Sequence, residues 1–189
     1  QWFYFRLTGA RGEACRIRLL NAGEASYARG FEDYRACVSE DLENWPRVET
    51  AYDGKELTIA YEPATDSAYF AFFAPYPLEF ERQFVAKCQQ SHFARLEVVG
   101  KTVEGRDLDL LTVGTPGPDK RVCWAIARQH PGETMGPYWM EGFLTRLLDE
   151  HDAVAASVRE RAVFYVVPNM NPDGAVLGNL RTNAAGANL

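Results

Sequence analysis

The chain has 189 residues, enough for one ordinary domain or two small ones, and is 47% hydrophobic, 24% charged and 13% aromatic, an ordinary globular profile. A net charge of −6 argues against a nucleic-acid binder, which needs a basic face to neutralise phosphates. No apolar run approaches the length of a membrane span, so neither nucleic acid nor membrane is expected as a partner. Cys15, Cys37, Cys88 and Cys123 are scattered without a Cys-x-x-Cys pair, which excludes a zinc ribbon or a thioredoxin-like motif and suits reduced thiols in the cytoplasm.

Residues 1–75 read as antiparallel β structure. Trp2 to Leu7 is dense in aromatics, and Arg16 to Leu19 alternates polar with apolar, the period of a half-buried strand. Thr58 to Tyr61 and Ala68 to Phe73 are further strands, and Tyr52-Asp53-Gly54-Lys55 is a tight turn in which Gly54 takes positive φ. Short strands separated by turns predict a small sandwich. Asp33, Glu40, Asp41 and Glu43 read as a solvated rim.

Residues 76–189 change character after Pro75-Tyr76-Pro77. Leu78 to Gln90 has helical spacing through Phe80, Phe84 and Cys88. Leu96 to Val99 and Leu108 to Val113 bracket a hairpin turned at Gly105. The apolar runs Val122 to Ala127 and Ala162 to Val167 predict strands buried on both faces. Between them lies a long helical pattern with Tyr138, Phe143, Leu144, Leu147 and Leu148 on one stripe. Helices alternating with apolar strands indicate an α/β sheet.

The chemistry-bearing residues sit where the first of those strands ends. His130 closes the strand, and Glu133 falls in the first turn of the helix beyond Pro131-Gly132. Both aim at the crevice beyond the strand's carboxyl end, where open α/β sheets bind ligands. Pro131 suits a helix start, and Gly132 allows a sharp turn. An imidazole nitrogen and a carboxylate are zinc ligands, but a catalytic zinc takes three from protein and keeps one position for water. The bland alternative is a chance His-x-x-Glu, with the glutamate favoured by the helix dipole. His92 and His151 read as structural.

A second segment changes the balance. His130-Pro131-Gly132-Glu133 followed by Asn171-Pro172-Asp173-Gly174 resembles the zinc carboxypeptidases related to carboxypeptidase A. With Arg128-Gln129 ahead of the first motif, and Gly178-Asn179-Leu180-Arg181 and Ala185 to Leu189 after the second, the chain is most similar to the cytosolic carboxypeptidase subfamily. The resemblance implies a fold of class α/β: an N-terminal antiparallel β-sandwich, residues 1–75, followed by the first part of a mixed-sheet α/β/α carboxypeptidase domain, residues 76–189. It implies that His130 and Glu133 are metal ligands for one Zn2+, that Arg181 stabilises the oxyanion, and that peptide or protein C-termini are the substrate. The Asn171 to Gly174 stretch reads as a loop-shaping element rather than a substrate contact.

In the resembled family an Asn-Arg pair that binds the terminal carboxylate, a third zinc histidine and a catalytic glutamate come after the position of Leu189. The chain therefore reads as a piece of a longer protein, expected to bind zinc weakly and hydrolyse nothing alone. Two other readings stay open: a zinc amidohydrolase that deacylates small amino-acid derivatives, and a non-catalytic binding module.

Overall fold

The computed structural model describes residues 2–189, and its backbone divides into two compact units, one ending at Pro75 and the other running Tyr76–Leu189.

The first unit holds six strands: β1 (Tyr4–Thr8), β2 (Cys15–Leu19), β3 (Cys37–Ser39), β4 (Thr50–Tyr52), β5 (Leu57–Tyr61) and β6 (Ser67–Ala71), with short 3-10 turns at Ala22–Glu24 and Ala28–Phe31. They form two antiparallel three-stranded sheets, ordered β1-β6-β3 and β2-β5-β4. Alternation decides the inner faces. Phe5 and Leu7 of β1, Phe70 of β6, Ile17 of β2 and Ile59 of β5 meet in one core. Each buried Phe, Leu or Ile contributes about 1.5–3 kcal/mol, whereas an exposed pair such as Arg18–Glu56 is worth about 0–1. The sandwich therefore rests on its aromatic core. Gly54 takes φ 91° in the β4–β5 turn, while Asp53 Oδ1 accepts from the Lys55 and Glu56 N–H groups. The strands β3 and β4, three residues each, are too short to leave a periodic signal.

The second unit is a mixed sheet with helices packed on it. Its elements are α1 (Leu78–Cys88), β7 (Ala94–Lys101), β8 (Asp107–Val113), β9 (Arg121–Ile126), α2 (Met135–Leu147), α3 (Ala153–Arg161), β10 (Ala162–Val167) and α4 (Pro172–Leu177). The strand order is β7-β8-β10-β9; β9 and β10 are parallel and the other pairs antiparallel. Leu111, Val113 and Val166 from the sheet pack with Met140, Leu144 and Leu147 of α2 and Cys88 of α1. All four cysteines are unpaired thiols.

Two local expectations change, and one helix was not foreseen. The β9 strand is not buried on both faces: Val122, Trp124 and Ile126 are 60%, 65% and 50% exposed. An apolar run reports strand propensity, but only a covering layer buries it. The inward stripe of α1 is Glu81, Val85 and Cys88, and Phe80 faces outward. The short α3 was missed because its apolar face is weak; Asp152 caps it by accepting from Val154 and Ala155 N–H, and buried Arg159 donates to the Leu147 and Asp149 carbonyls at the end of α2.

Glu81 accepts from Asn169 Nδ2 at 2.5 Å. Burial pushes its carboxyl up from 4.5 to about 7, against the opposing Asn169 bond and Arg128 charge. The folded state thus keeps a proton that the unfolded chain releases. That contribution is fully present below the unfolded value and is lost as pH rises through about 7. It amounts to at most about 3 kcal/mol. Glu81→Gln is expected to flatten stability across this window, measured by urea unfolding from about pH 5 to about pH 8.

Candidate active site

Because β9 and β10 are parallel, their carboxyl ends lie side by side, and the ladder continues past them through Ala127 N–H to Val167 O at 3.1 Å and Met170 N–H to Ala127 O at 2.9 Å. The two motif segments are therefore neighbours. Glu133 lies on the turn just ahead of α2, one residue before the N-cap Thr134, rather than within the helix. Its N–H closes the turn onto His130 O at 3.0 Å.

The second segment is held from below. Asn171 caps α4 by accepting from Gly174 N–H at 3.0 Å, and its Nδ2 donates to Gln129 O at 3.3 Å. Asn169 Oδ1 accepts from Asn171 N–H at 2.9 Å. Asp173 is buried and accepts from Thr102 Oγ1 at 2.7 Å, Glu104 N–H at 3.0 Å and Arg106 Nη1 at 2.7 Å. Burial works to raise the Asp173 carboxyl, but these donors prevail and hold it below 3.8. The stretch Asn171 to Gly174 thus ties the β7–β8 turn to the strand-end loops.

A third segment enters after α4. Gly178 ends the helix at φ 71°, and Asn179 Nδ2 donates to the Thr182 and Asn183 carbonyls, folding the loop that carries Arg181. Gly132 N–H donates to Leu180 O at 2.8 Å. A Cβ on Gly132 would lie 2.6 Å from Leu180 Cδ1 and 2.9 Å from Leu180 O. A Cβ on Gly174 would lie 2.5 Å from both Pro131 Cγ and Thr182 O. Neither glycine has positive φ; both are needed for close approach rather than for turning.

These contacts bring His130, Glu133 and Arg181 together. His130 Nδ1 is 3.0 Å from Glu133 Oε1, Arg181 Nη1 donates to that oxygen at 3.1 Å, and Arg181 Nη2 is 3.0 Å from His130 Nε2. His130 Nε2 is also 3.0 Å from the main-chain oxygen of Leu189. The ring has partners in either tautomer. With Nδ1–H facing Glu133, Nε2 accepts from Arg181. With the proton on Nε2 instead, the bond from Arg181 Nη2 is given up, and the Nδ1 lone pair and the carboxylate are two acceptors aimed at one place, which suits a cation. Two zinc ligands in tetrahedral geometry stand about 3.3 Å apart, close to the observed 3.0 Å. The pair therefore fits zinc as two of its donors. Among the described residues no group of three or more His, Cys, Asp or Glu is arranged to hold a metal ion. His151 is exposed beside Glu150, and His92 packs against Phe93.

Sequence reasoning missed the supports of the site: Glu81, Asn169 and Arg128 are buried polar residues around it. Only the polar position in the inward stripe of α1 hinted at Glu81.

Fold and site together define an α/β domain of the metallocarboxypeptidase type. Residues 82–188 match the model of the zinc carboxypeptidase family, and residues 1–73 that of the cytosolic carboxypeptidase N-terminal domain. The metallo-carboxypeptidase from Burkholderia cenocepacia is 50% identical with a TM-score of 0.96, over 100% of this chain and 51% of its own. The metallo-carboxypeptidase from Pseudomonas aeruginosa, solved in complex with (2-guanidinoethylmercapto)succinic acid, is 40% identical with a TM-score of 0.94, over 100% and 51%. Cytosolic carboxypeptidase 2 of Danio rerio is 31% identical over 219 residues, covering 100% of this chain and 30% of its own length. This chain belongs to the zinc carboxypeptidase family. It spans about half the length, or less, of the curated relatives it matches.

Gly132→Ala is expected to displace Leu180, destabilise the protein by about 1–3 kcal/mol in thermal melts, and pull Arg181 off Glu133. The control Gly142→Ala, whose Cβ would meet nothing within 4 Å on exposed α2 surface, is expected to stabilise by up to about 1 kcal/mol.

Proposed function

We propose that this chain is part of a zinc metallocarboxypeptidase that removes C-terminal residues from peptides or proteins. The observation that carries the reading is the single cluster of His130, Glu133 and Arg181 at the ends of two parallel strands. His130 through Nδ1 and Glu133 through its carboxylate are two ligands of Zn2+. The third ligand, the catalytic glutamate and the residues that bind the terminal carboxylate come from further polypeptide, in keeping with the relatives' greater length. Zinc held there supplies a Lewis acid that polarises the scissile carbonyl and lowers the pKa of water to about 7.

The chain's own residues do the rest of what this half contributes. Glu133 accepts from Arg181, which keeps the guanidinium extended toward the metal pair. There its N–H groups face the negative charge that develops on the substrate carbonyl oxygen, a role worth about 3–4 kcal/mol for comparable donors.

Within the family we assign the chain to the cytosolic carboxypeptidase subfamily, with residues 1–75 as its β-sandwich domain, residues 76–189 as the incomplete catalytic domain and a cytoplasmic location. The match of residues 1–73 to that subfamily's N-terminal domain and the likeness to the Danio rerio protein support this. The same match favours the peptidase over an amidohydrolase for small acyl-amino acids.

The test uses the complete polypeptide, with metal content measured alongside release of C-terminal residues from a peptide library. His130→Ala and Glu133→Ala are expected to lose zinc and hydrolysis together. Arg181→Ala is expected to keep zinc while turnover falls about 100- to 1,000-fold. A zinc-loaded protein that cleaves acyl-amino acids but no peptide would overturn the peptidase, and normal turnover in Arg181→Ala would overturn the oxyanion role.

A further inference from the structure

Arg128 has no part in the chemistry above, yet its conformation is unusual. It is one of three non-glycine residues with positive φ among the described residues, at 52°, a region disfavoured for a long side chain. It is only 7% exposed, although a guanidinium is costly to bury. Its Nη1 is buried without a hydrogen-bond partner, and its guanidinium carbon stands 5.7 Å from the centre of the Tyr76 ring. A buried guanidinium with an unpartnered nitrogen costs desolvation free energy, so packing stability is a poor reason for it.

One contact accounts for the arrangement. Arg128 Nε donates to Pro131 O at 3.2 Å. That carbonyl belongs to the same peptide unit as the Gly132 N–H, which donates to Leu180 O at 2.8 Å. The peptide plane between Pro131 and Gly132 is thus gripped at both ends: its oxygen by Arg128, its N–H by the loop that carries Arg181. Planarity makes this peptide a rigid plate. His130 and Glu133 flank it on either side, so a rotation of the plate would swing both side chains out of register.

We propose that Arg128 is a positioning residue that clamps the Pro131–Gly132 peptide and so sets the spacing of His130 and Glu133 before a metal is bound. The inference rests on the metal-ligand reading given under Proposed function. The positive φ turns the Arg128 side chain back beneath the turn it has just entered. The Tyr76 ring, 5.7 Å from the guanidinium carbon, packs against it there.

The experiment uses the complete protein as wild type and as Arg128→Lys, Arg128→Met and Arg128→Gly, with two readouts. The first is hydrogen exchange, on metal-free protein, of the peptide spanning Pro131 to Glu133. The second is the rate of zinc release to a chromogenic chelator. Lys keeps a cationic donor for Pro131 O and is expected to stay within about threefold of wild type in both. Met and Gly are expected to exchange at least about tenfold faster and to release zinc about 10- to 100-fold faster. Gly relieves the backbone strain, so wild-type behaviour in Gly would assign the effect to φ alone and overturn the clamp. Wild-type exchange in a folded Met variant would overturn it equally. Should Met and Gly fail to fold, Lys decides: rates near wild type support the clamp, and rates raised about tenfold overturn it. If the wild type binds no zinc, the metal reading fails, while the exchange measurement still decides whether Arg128 clamps the peptide.

Discussion

Between Gly132 and Leu180 there is no space for a side-chain carbon, and the same holds where Gly174 meets Pro131 and Thr182. These two contacts bring together the loop after β9, which carries His130, with the helix α4 and the loop after α4, which carries Arg181. Without them His130 and Glu133 would remain near neighbours, because the Glu133 N–H to His130 O turn is local. Arg181 would not join them. The cluster to which catalysis is attributed therefore depends on backbone packing against backbone, a requirement that only glycine meets.

Around those contacts, Arg128 Nη1 apart, the domain keeps its buried polar groups partnered. Asp173 holds three donors from the β7–β8 turn, and Asn171 joins the α4 cap to the loop after β9. Glu81 and Asn169 continue the chain of contacts into α1. Such groups cost desolvation free energy unless every partner is met, and they reward correct assembly with directional rigidity. Their position beneath the loops, rather than within the Leu111–Leu144–Val166 core, makes them supports of the site more than of the sheet. The sandwich unit is held differently: stacked aromatic pairs such as Phe5–Phe70 and Tyr34–Phe72 and edge-on pairs such as Phe31–Phe72 fill its interior, and its ion pairs lie at the surface.

Local features of the fold were legible to the extent that they are periodic or stereochemically unique. Alternation in Arg16 to Leu19, helical spacing after Pro77, Gly54 at positive φ and the hairpin turn at Gly105 all act through neighbours in the chain. Burial was legible only in part. The run Val122 to Ile126 and the residue Phe80 are apolar yet exposed, and Glu81 is charged yet inside, because those outcomes depend on which layer covers which face.

The amino-acid order by itself determined the class of fold and the pair His130 and Glu133, carried by residue type and short-range spacing, while Arg181 entered only through the resemblance of its motif to a known family. The tertiary structure alone decided that Arg181 meets the other two, that Gly132 and Gly174 serve close approach rather than turning, and that Arg128 folds back onto Pro131. Those outcomes follow from contacts between segments far apart in the chain, and from a strained φ that surrounding packing must hold in place. No local pattern encodes either.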